Sequence, residues 1–264
     1  MESNQTWEIV VLPKEKTTIS CKWIFKIKYK ANGIVERYKA RLVERGYTQI
    51  EDINYLDIFS PLTKMVTIRL LLSLASIYNW ELKLLNINNV FLHGELKEDL
   101  YMVAPSRLTS IKPRQVCKLK KALYGFKQAN REWFAKLSSL LLSVGYTQSM
   151  NDHSLFINSS KWSFTTLLEY VDDITLAGND KEEIERIKQA LNKTFKIKDL
   201  GDLRCFFGLE IARSKKGIMM NQWKHALKLL TDVGLLACKL ALTPIDNHTK
   251  LSFTGSVPFT DVQA

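Results

Sequence analysis

Two adjacent carboxylates, Asp172 and Asp173, lie inside the stretch "LEYVDDITLAG". Aspartate is common in turns, where its side chain bonds nearby backbone, and a hairpin tip would account for one such residue. Here the pair is flanked by "LLEYV" and "ITLAG", two apolar strand-like segments. Two carboxylates drawn toward an apolar interior repel each other and are costly to desolvate. A divalent cation resolves that conflict. Magnesium takes oxygen ligands and is held by one or two carboxylates together with substrate phosphates. The chemistry this suggests is phosphoryl or nucleotidyl transfer with metal assistance.

The elements that must position the pair can be read from periodicity. The segments "LFIN" and "FTTLLEYVDDITLAG" predict strands, the latter a hairpin around Asp172-Asp173. A strand is predicted around residues 82–91, after a helix over 64–79 whose residues are mostly apolar and therefore expected to be buried. "KQANREWFAKLSSLLLSVG" predicts a helix stopped by Gly145. Asp180 and Glu183 predict a capping box opening a helix with Ile184, Ile187, Leu191 and Phe195 on one face. "RCFFGLEIAR" and "GIMM" read as strands. A last helix follows, with Trp223, Ala226, Leu227 and Leu230 at helical spacing and Gly234 at its end. Residues 104–115 read as a polar loop, and the final twenty residues as a poorly ordered tail. Strands and helices mix without βαβ alternation, so the expected class is α+β.

Residues 22–43 give the clearest strand signal. Trp23, Phe25, Ile27 and Tyr29 alternate with Lys22, Ile24, Lys26, Lys28 and Lys30, and Asn32-Gly33 marks a tight turn. Arg37, Lys39 and Arg41 share one face of the return strand. The expectation is a hairpin with one apolar and one basic face, either a nucleic-acid surface or a solvated edge guarded by lysines.

The 264 residues carry 38 Lys and Arg and a net charge of +11. Such a surplus favours polyanionic partners. No apolar run approaches the roughly 18–20 residues of a membrane span. The opening "MESNQTWE" is polar and acidic and predicts no signal peptide. Cys21, Cys117, Cys205 and Cys238 form no CxxC pair, and the four histidines show no ligand spacing, so a structural zinc site is not expected.

Tyr170-Val171-Asp172-Asp173 resembles the YxDD box of reverse transcriptases. "TWEIVVLPKEKTTISCKWIFKIKYKANGIVERYKARLVERGYTQ", "FSPLTKMVTIRLLLSLA", "NNVFLHGELKEDLYM", "KLKKALYGFKQANREWF" and "KDLGDLRCFFGLEI" resemble blocks of the copia-type (Ty1/copia) retrotransposon branch, in that family's order, from about Thr6 to Pro244. The resemblance implies a right-hand polymerase: an RNA-directed DNA polymerase domain of a longer polyprotein. It would use Mg2+ or Mn2+ held by Asp172 and Asp173, an RNA or DNA template with a DNA primer, and deoxynucleoside triphosphates. Its setting would be intracellular, in the cytoplasm and virus-like particles. Oligomeric state is left open.

The same resemblance implies a layout. Residues 1–80 would be fingers leading into palm, and 81–100 a palm strand with the first metal-site position. Residues 101–128 would return to the fingers, and 129–213 would be palm with the YVDD hairpin and primer grip. Residues 214–245 would be thumb-like helices and 246–264 a polar tail. Lys28, Lys39 and Arg41 would contact triphosphate. Phe91 would exclude a ribose 2′-OH; it also reads as a core phenylalanine on a strand, and one residue can serve both. Gly125 and Gln128 belong to the block under the templating pair. Phe206, Phe207 and Gly208 would form the primer grip.

Several positions depart from the family. Asn86 stands where the family has its first catalytic aspartate; Val90 replaces alanine, Asn130 a proline and Leu56 an acidic residue, and Glu169 an apolar one. An amide offers one neutral oxygen in place of a charged carboxylate, so this copy is expected to be impaired or inactive. Two alternatives remain: a non-catalytic nucleic-acid-binding remnant, and a different palm-fold nucleotidyltransferase such as a cyclase. The fingers and primer-grip blocks speak against the second.

Overall fold

The structure is a computed structural model and describes residues 5–239 apart from 31, 107, 109 and 110. The predicted tail at 246–264 lies outside the described residues, as does the end of the thumb-like segment. The chain divides into two units, Met1–Asn221 and Gln222–Ala264.

The expected α+β class holds. In the first unit a six-stranded sheet runs in the order β12 (Ile197–Asp202), β5 (Glu81–Ile87), β11 (Asp173–Gly178), β10 (Phe164–Tyr170), β9 (Leu155–Ser159) and β8 (Thr147–Gln148). Every described pairing in it is antiparallel. A four-stranded sheet joins β1 (Trp7–Val11), β7 (Gln115–Leu119), β6 (Tyr101–Met102) and β2 (Thr18–Ile19). A three-stranded sheet joins β13 (Cys205–Phe206), β14 (Leu209–Ser214) and β15 (Gly217–Asn221). The predicted basic hairpin forms a two-stranded sheet of its own, β3 (Cys21–Tyr29) and β4 (Val35–Glu44).

Helices α2 (Ala129–Ser143) and α3 (Lys181–Phe195) bury Trp133, Leu137, Leu141, Ile184, Ile187, Leu191 and Phe195 in one cluster with Leu85, Leu167, Ile174 and Leu176 of the six-stranded sheet. The cap of α3 forms on Asp180, whose side chain accepts from the Glu183 N–H. The Glu183 carboxylate is engaged by Arg186 and Asn158. Helix α1 (Met65–Ile77) packs Ile68, Leu71, Leu72 and Ala75 with Leu82, Leu84 and Leu168.

Three expectations need correction. Helix α1 is not mostly buried: Val66, Leu70 and Ile77 are exposed on its outer side. The strand predicted to reach residue 91 ends at Ile87, because Asn89 adopts a left-handed backbone (φ 52°) that opens a 3-10 turn over Val90–His93. Phe91 is therefore on a turn and not on a strand. The last strand of the large sheet, β12, was not anticipated; its sequence "IKDLGD" is polar because it is an edge strand with mostly exposed side chains.

The second unit contains α4 (Trp223–Asp232), the helix predicted there, followed by Gly234 at φ 72°. No residue of α4 is buried.

Gly125 lies where the chain passes close against its own backbone. Its φ is 97°, and a Cβ there would collide with the carbonyl oxygen of Glu44. The contact lets the 124–128 segment lie against the base of β4, where the Glu44 N–H donates to the Tyr124 carbonyl at 2.8 Å. Gly125→Ala is expected to lower stability by about 2 kcal/mol or more, from left-handed backbone plus backbone overlap. A urea midpoint unchanged from the natural protein would contradict this.

Candidate active site

Strands β5 and β11 bring the three expected residues together from distant parts of the chain. Asp173 is the antiparallel partner of Asn86, and Tyr170 pairs with Asp173 across the turn that carries Val171 and Asp172. The Asn86 side-chain nitrogen donates to Asp173 Oδ1 at 2.8 Å and to Asp172 Oδ2 at 3.2 Å. That orientation of the amide is required chemically, since ionised carboxylates only accept. Burial raises the Asp173 pKa and Asp172 beside it adds to the rise, while the Asn86 hydrogen bond opposes it.

The turn itself is held from behind. Val171 has φ 56°, an uncommon conformation for a β-branched residue and a cost of order 1–3 kcal/mol. The Trp133 indole N–H on α2 donates to the Val171 carbonyl at 2.9 Å. Glu169, one residue before Tyr170, is buried, and burial pushes its carboxyl up to about 7, against hydrogen bonds from the Val171 N–H and Trp133. Glu169 and Asn130 line one small recess beside Tyr170 and Val171.

The basic face of the β3–β4 hairpin is electrostatically coupled to this turn. The Lys39 ammonium is held below its ordinary pKa by burial and by Arg41, Arg37 and Lys28, and Asp172 is close enough to pull it back up. Arg41 lies over the Tyr124 ring at 5.1 Å from its centroid, and Phe91 meets the same ring edge-on at 4.8 Å. Arg41 Nε is buried without a hydrogen-bond partner among the described residues. Lys28 sits opposite Arg37 on the same face.

Phe206 and Phe207 both make edge contacts with Tyr170, at 6.1 Å and 4.6 Å. Phe207 and Gly208 have φ 54° and 74° and form the two-residue turn between β13 and β14. Gln128 is fully buried; its amide donates to the Asn54 carbonyl and accepts from Gln49. Gly125 is a packing glycine, as described above. Tyr124 and Trp133 were not anticipated. Their signals were present: Tyr124 is the aromatic residue next to Gly125, and Trp133 is on the helix that follows Gln128.

The chain belongs to the reverse transcriptase family. Residues 4–247 match the family model described as reverse transcriptase (RNA-dependent DNA polymerase). Within the family it is similar to copia-type Pol polyproteins. It is 39% identical to the retrovirus-related Pol polyprotein from transposon RE1 of Arabidopsis thaliana, over 98% of this chain and 18% of that one. It is 38% identical to that of transposon TNT 1-94 of Nicotiana tabacum, over 96% and 19%. The chain thus spans less than a fifth of the length of these two relatives. A foamy viral protease-reverse transcriptase solved in complex with double-stranded DNA is similar at 12% identity and a TM-score of 0.43, over 83% of this chain and 33% of that one.

Two carboxylates face one point and carry the charge that suits one divalent ion. They are one carboxylate short of a two-ion site, and among the described residues no third acidic, histidine or cysteine side chain joins them. No described helix is long and apolar enough to cross a membrane.

Proposed function

We propose that this domain is an RNA-directed DNA polymerase by descent whose turnover is held down by Asn86. Its substrates would be deoxynucleoside triphosphates and a DNA primer on an RNA or DNA template. The observation that carries the reading is the convergence of Asn86, Asp172 and Asp173 within hydrogen-bond reach. Asp172 and Asp173 would hold Mg2+ or Mn2+, which when bound supplies charge neutralisation at the reacting phosphate. Lys39 and Arg41, with Lys28 beside them, would bind the triphosphate. Phe91 would press on the sugar and exclude a 2′-OH. Gly125 and Gln128 act from behind, fixing the segment that carries Tyr124. Phe206, Phe207 and Gly208 would seat the primer end against Tyr170. The setting this implies is cytoplasmic and intracellular.

A second reading is favoured by one observation. The Asn86 amide already bridges both aspartates, so the site can be ordered with no cation. The domain would then bind nucleic acid without turning over. Primer–template affinity and primer extension, measured on one preparation with magnesium or manganese, separate the two. Absence of any nucleic-acid affinity would overturn both.

Phosphate contacts release counterions, so binding is expected to weaken steeply with salt, with a log–log slope near −0.9 per contact on duplex DNA. Replacing Lys28, Lys39 and Arg41 together by alanine is expected to weaken binding and flatten that slope by about two to three contacts. An unchanged slope would make the hairpin's basic face a solvated edge and nothing more.

A further inference from the structure

Strand β10 buries one carboxyl group, that of Glu169, which is 5% exposed. Leu167 and Leu168 before it are fully buried, and so is Ile174, its partner across β11. A carboxyl group in such company is costly unless it is hydrogen-bonded. The Glu169 backbone is already used: its N–H donates to the Ser154 carbonyl at 3.0 Å, and the Thr63 hydroxyl donates to its carbonyl. Alternation puts the side chain on the face of Leu167, which packs with Trp133 of α2. There the carboxyl group accepts from the Val171 N–H and from Trp133. The Trp133 indole N–H also donates to the Val171 carbonyl. Both polar backbone atoms of Val171 are therefore held by side chains, one from β10 and one from α2.

We infer that Glu169 is a positioning residue: through the Val171 backbone it fixes where Asp172 and Asp173 point, and it touches neither substrate nor cation. Val171 needs such a hold, because its φ of 56° is unfavourable for a β-branched residue. The turn is tied to β5 on one side, where the Asp172 carbonyl accepts from the Ile87 N–H at 2.8 Å and Asp173 pairs with Asn86. One tie leaves the turn free to pivot. The grip of Glu169 and Trp133 on Val171 supplies the second, from the helix side of the sheet. An aliphatic side chain at 169 would fill the space and leave the Val171 N–H without this acceptor, at a cost that falls on the turn itself. The inference rests on the reading of the two aspartates as cation ligands for its purpose, whereas the grip on Val171 is independent of that reading.

The test uses the whole chain with Glu169→Gln and Glu169→Leu. Glutamine keeps an acceptor oxygen at the same reach; leucine removes it. Amide exchange followed by NMR reads the Val171 N–H directly. Leucine is expected to speed exchange at Val171 by at least about tenfold, the worth of one hydrogen bond to an acidic group, and glutamine to keep it within about threefold of the unaltered chain. Amides of β1 and β7 are the control for general loosening and should not change. Mn2+ affinity, read by electron paramagnetic resonance, should weaken by at least about fivefold in the leucine variant and hold in the glutamine variant. Trp133→Phe drops the hold on the Val171 carbonyl and should loosen the same amide, which keeps the test decisive if the leucine variant does not fold. Unchanged Val171 exchange, or a glutamine variant as loose as the leucine one, would overturn the inference. So would a leucine variant that binds Mn2+ as tightly as the unaltered chain or more so, which would make Glu169 a lesion. If the unaltered chain binds no Mn2+ while Val171 responds as expected, the grip on the turn stands and the reading of the aspartates as cation ligands fails.

Discussion

Asn86→Asp is expected to raise primer extension by at least about two orders of magnitude, the scale of one electrostatic catalytic group. The structure gives the reason in atoms. The nitrogen at position 86 donates to both Asp172 and Asp173. A carboxylate there would turn two attractive contacts into repulsion and create a third anionic ligand. The side chain changes little in volume, so packing of β5 between β11 and β12 should survive. Without added cation the variant should melt lower than the natural chain. Magnesium should restore the loss by binding only the folded state, whereas the natural chain should respond weakly. Single-turnover extension and melting with and without magnesium check both halves. If the variant gains magnesium-dependent stability yet extends no primer, Glu169 and Asn130 are the next positions to revert. If the natural chain already matches the variant's rate, Asn86 is not the lesion.

The second large effect is on stability against pH. Glu44 is 2% exposed, and neither carboxylate oxygen has a hydrogen-bond partner among the described residues. Burial pushes its pKa from 4.5 up to about 8. The unfolded chain releases this proton near 4.5 and the folded chain only near 8. Between those values the folded state binds more protons, so stability falls as pH rises. Glu169, raised to about 7, adds to the fall below that pH. His93 works the other way in acid, because burial lowers its pKa from 6.5 and favours the neutral ring. The clean window is therefore pH 7 to 8, where Glu44 is expected to cost about 1 kcal/mol, from a limiting slope of about 1.4 kcal/mol per pH unit. Glu44→Gln should remove most of that slope in urea titrations at the two pH values. An equal slope in both proteins would show that Glu44 finds a partner or water in solution.

What could be read from sequence followed from local chemistry. The turn at Asn32-Gly33, the cap on Asp180, the stop at Gly145 and the strands around Asp172 each depend on residues within a few positions of one another. They also carried the ordered family blocks, and hence the pairing of Asn86 with Asp173. What escaped depended on distant partners. Strand β12 is exposed and polar, so alternation does not mark it. The end of β5 at Ile87 is set by the left-handed Asn89, which the apolar run "VFL" beyond it disguises. "RLVERG" looks like a solvated strand end, yet Glu44 is covered by the 124–125 segment, some eighty residues later. Tyr124 matters only because Arg41 and Phe91 arrive on its two sides.

Asn86 sits near the end of an interior strand, paired through that strand with β11 on one side and β12 on the other. The atoms that hold it there are backbone, and the atoms that decide its chemistry are at the end of the side chain. Quality control in a cell inspects the first set, through foldedness and exposed surface, and is blind to the second. A copy altered at this position would be kept by chaperones and proteases as a sound protein. If it still grips primer and template, it would then occupy them against intact copies, and a single-atom change would have made a competitor out of a polymerase.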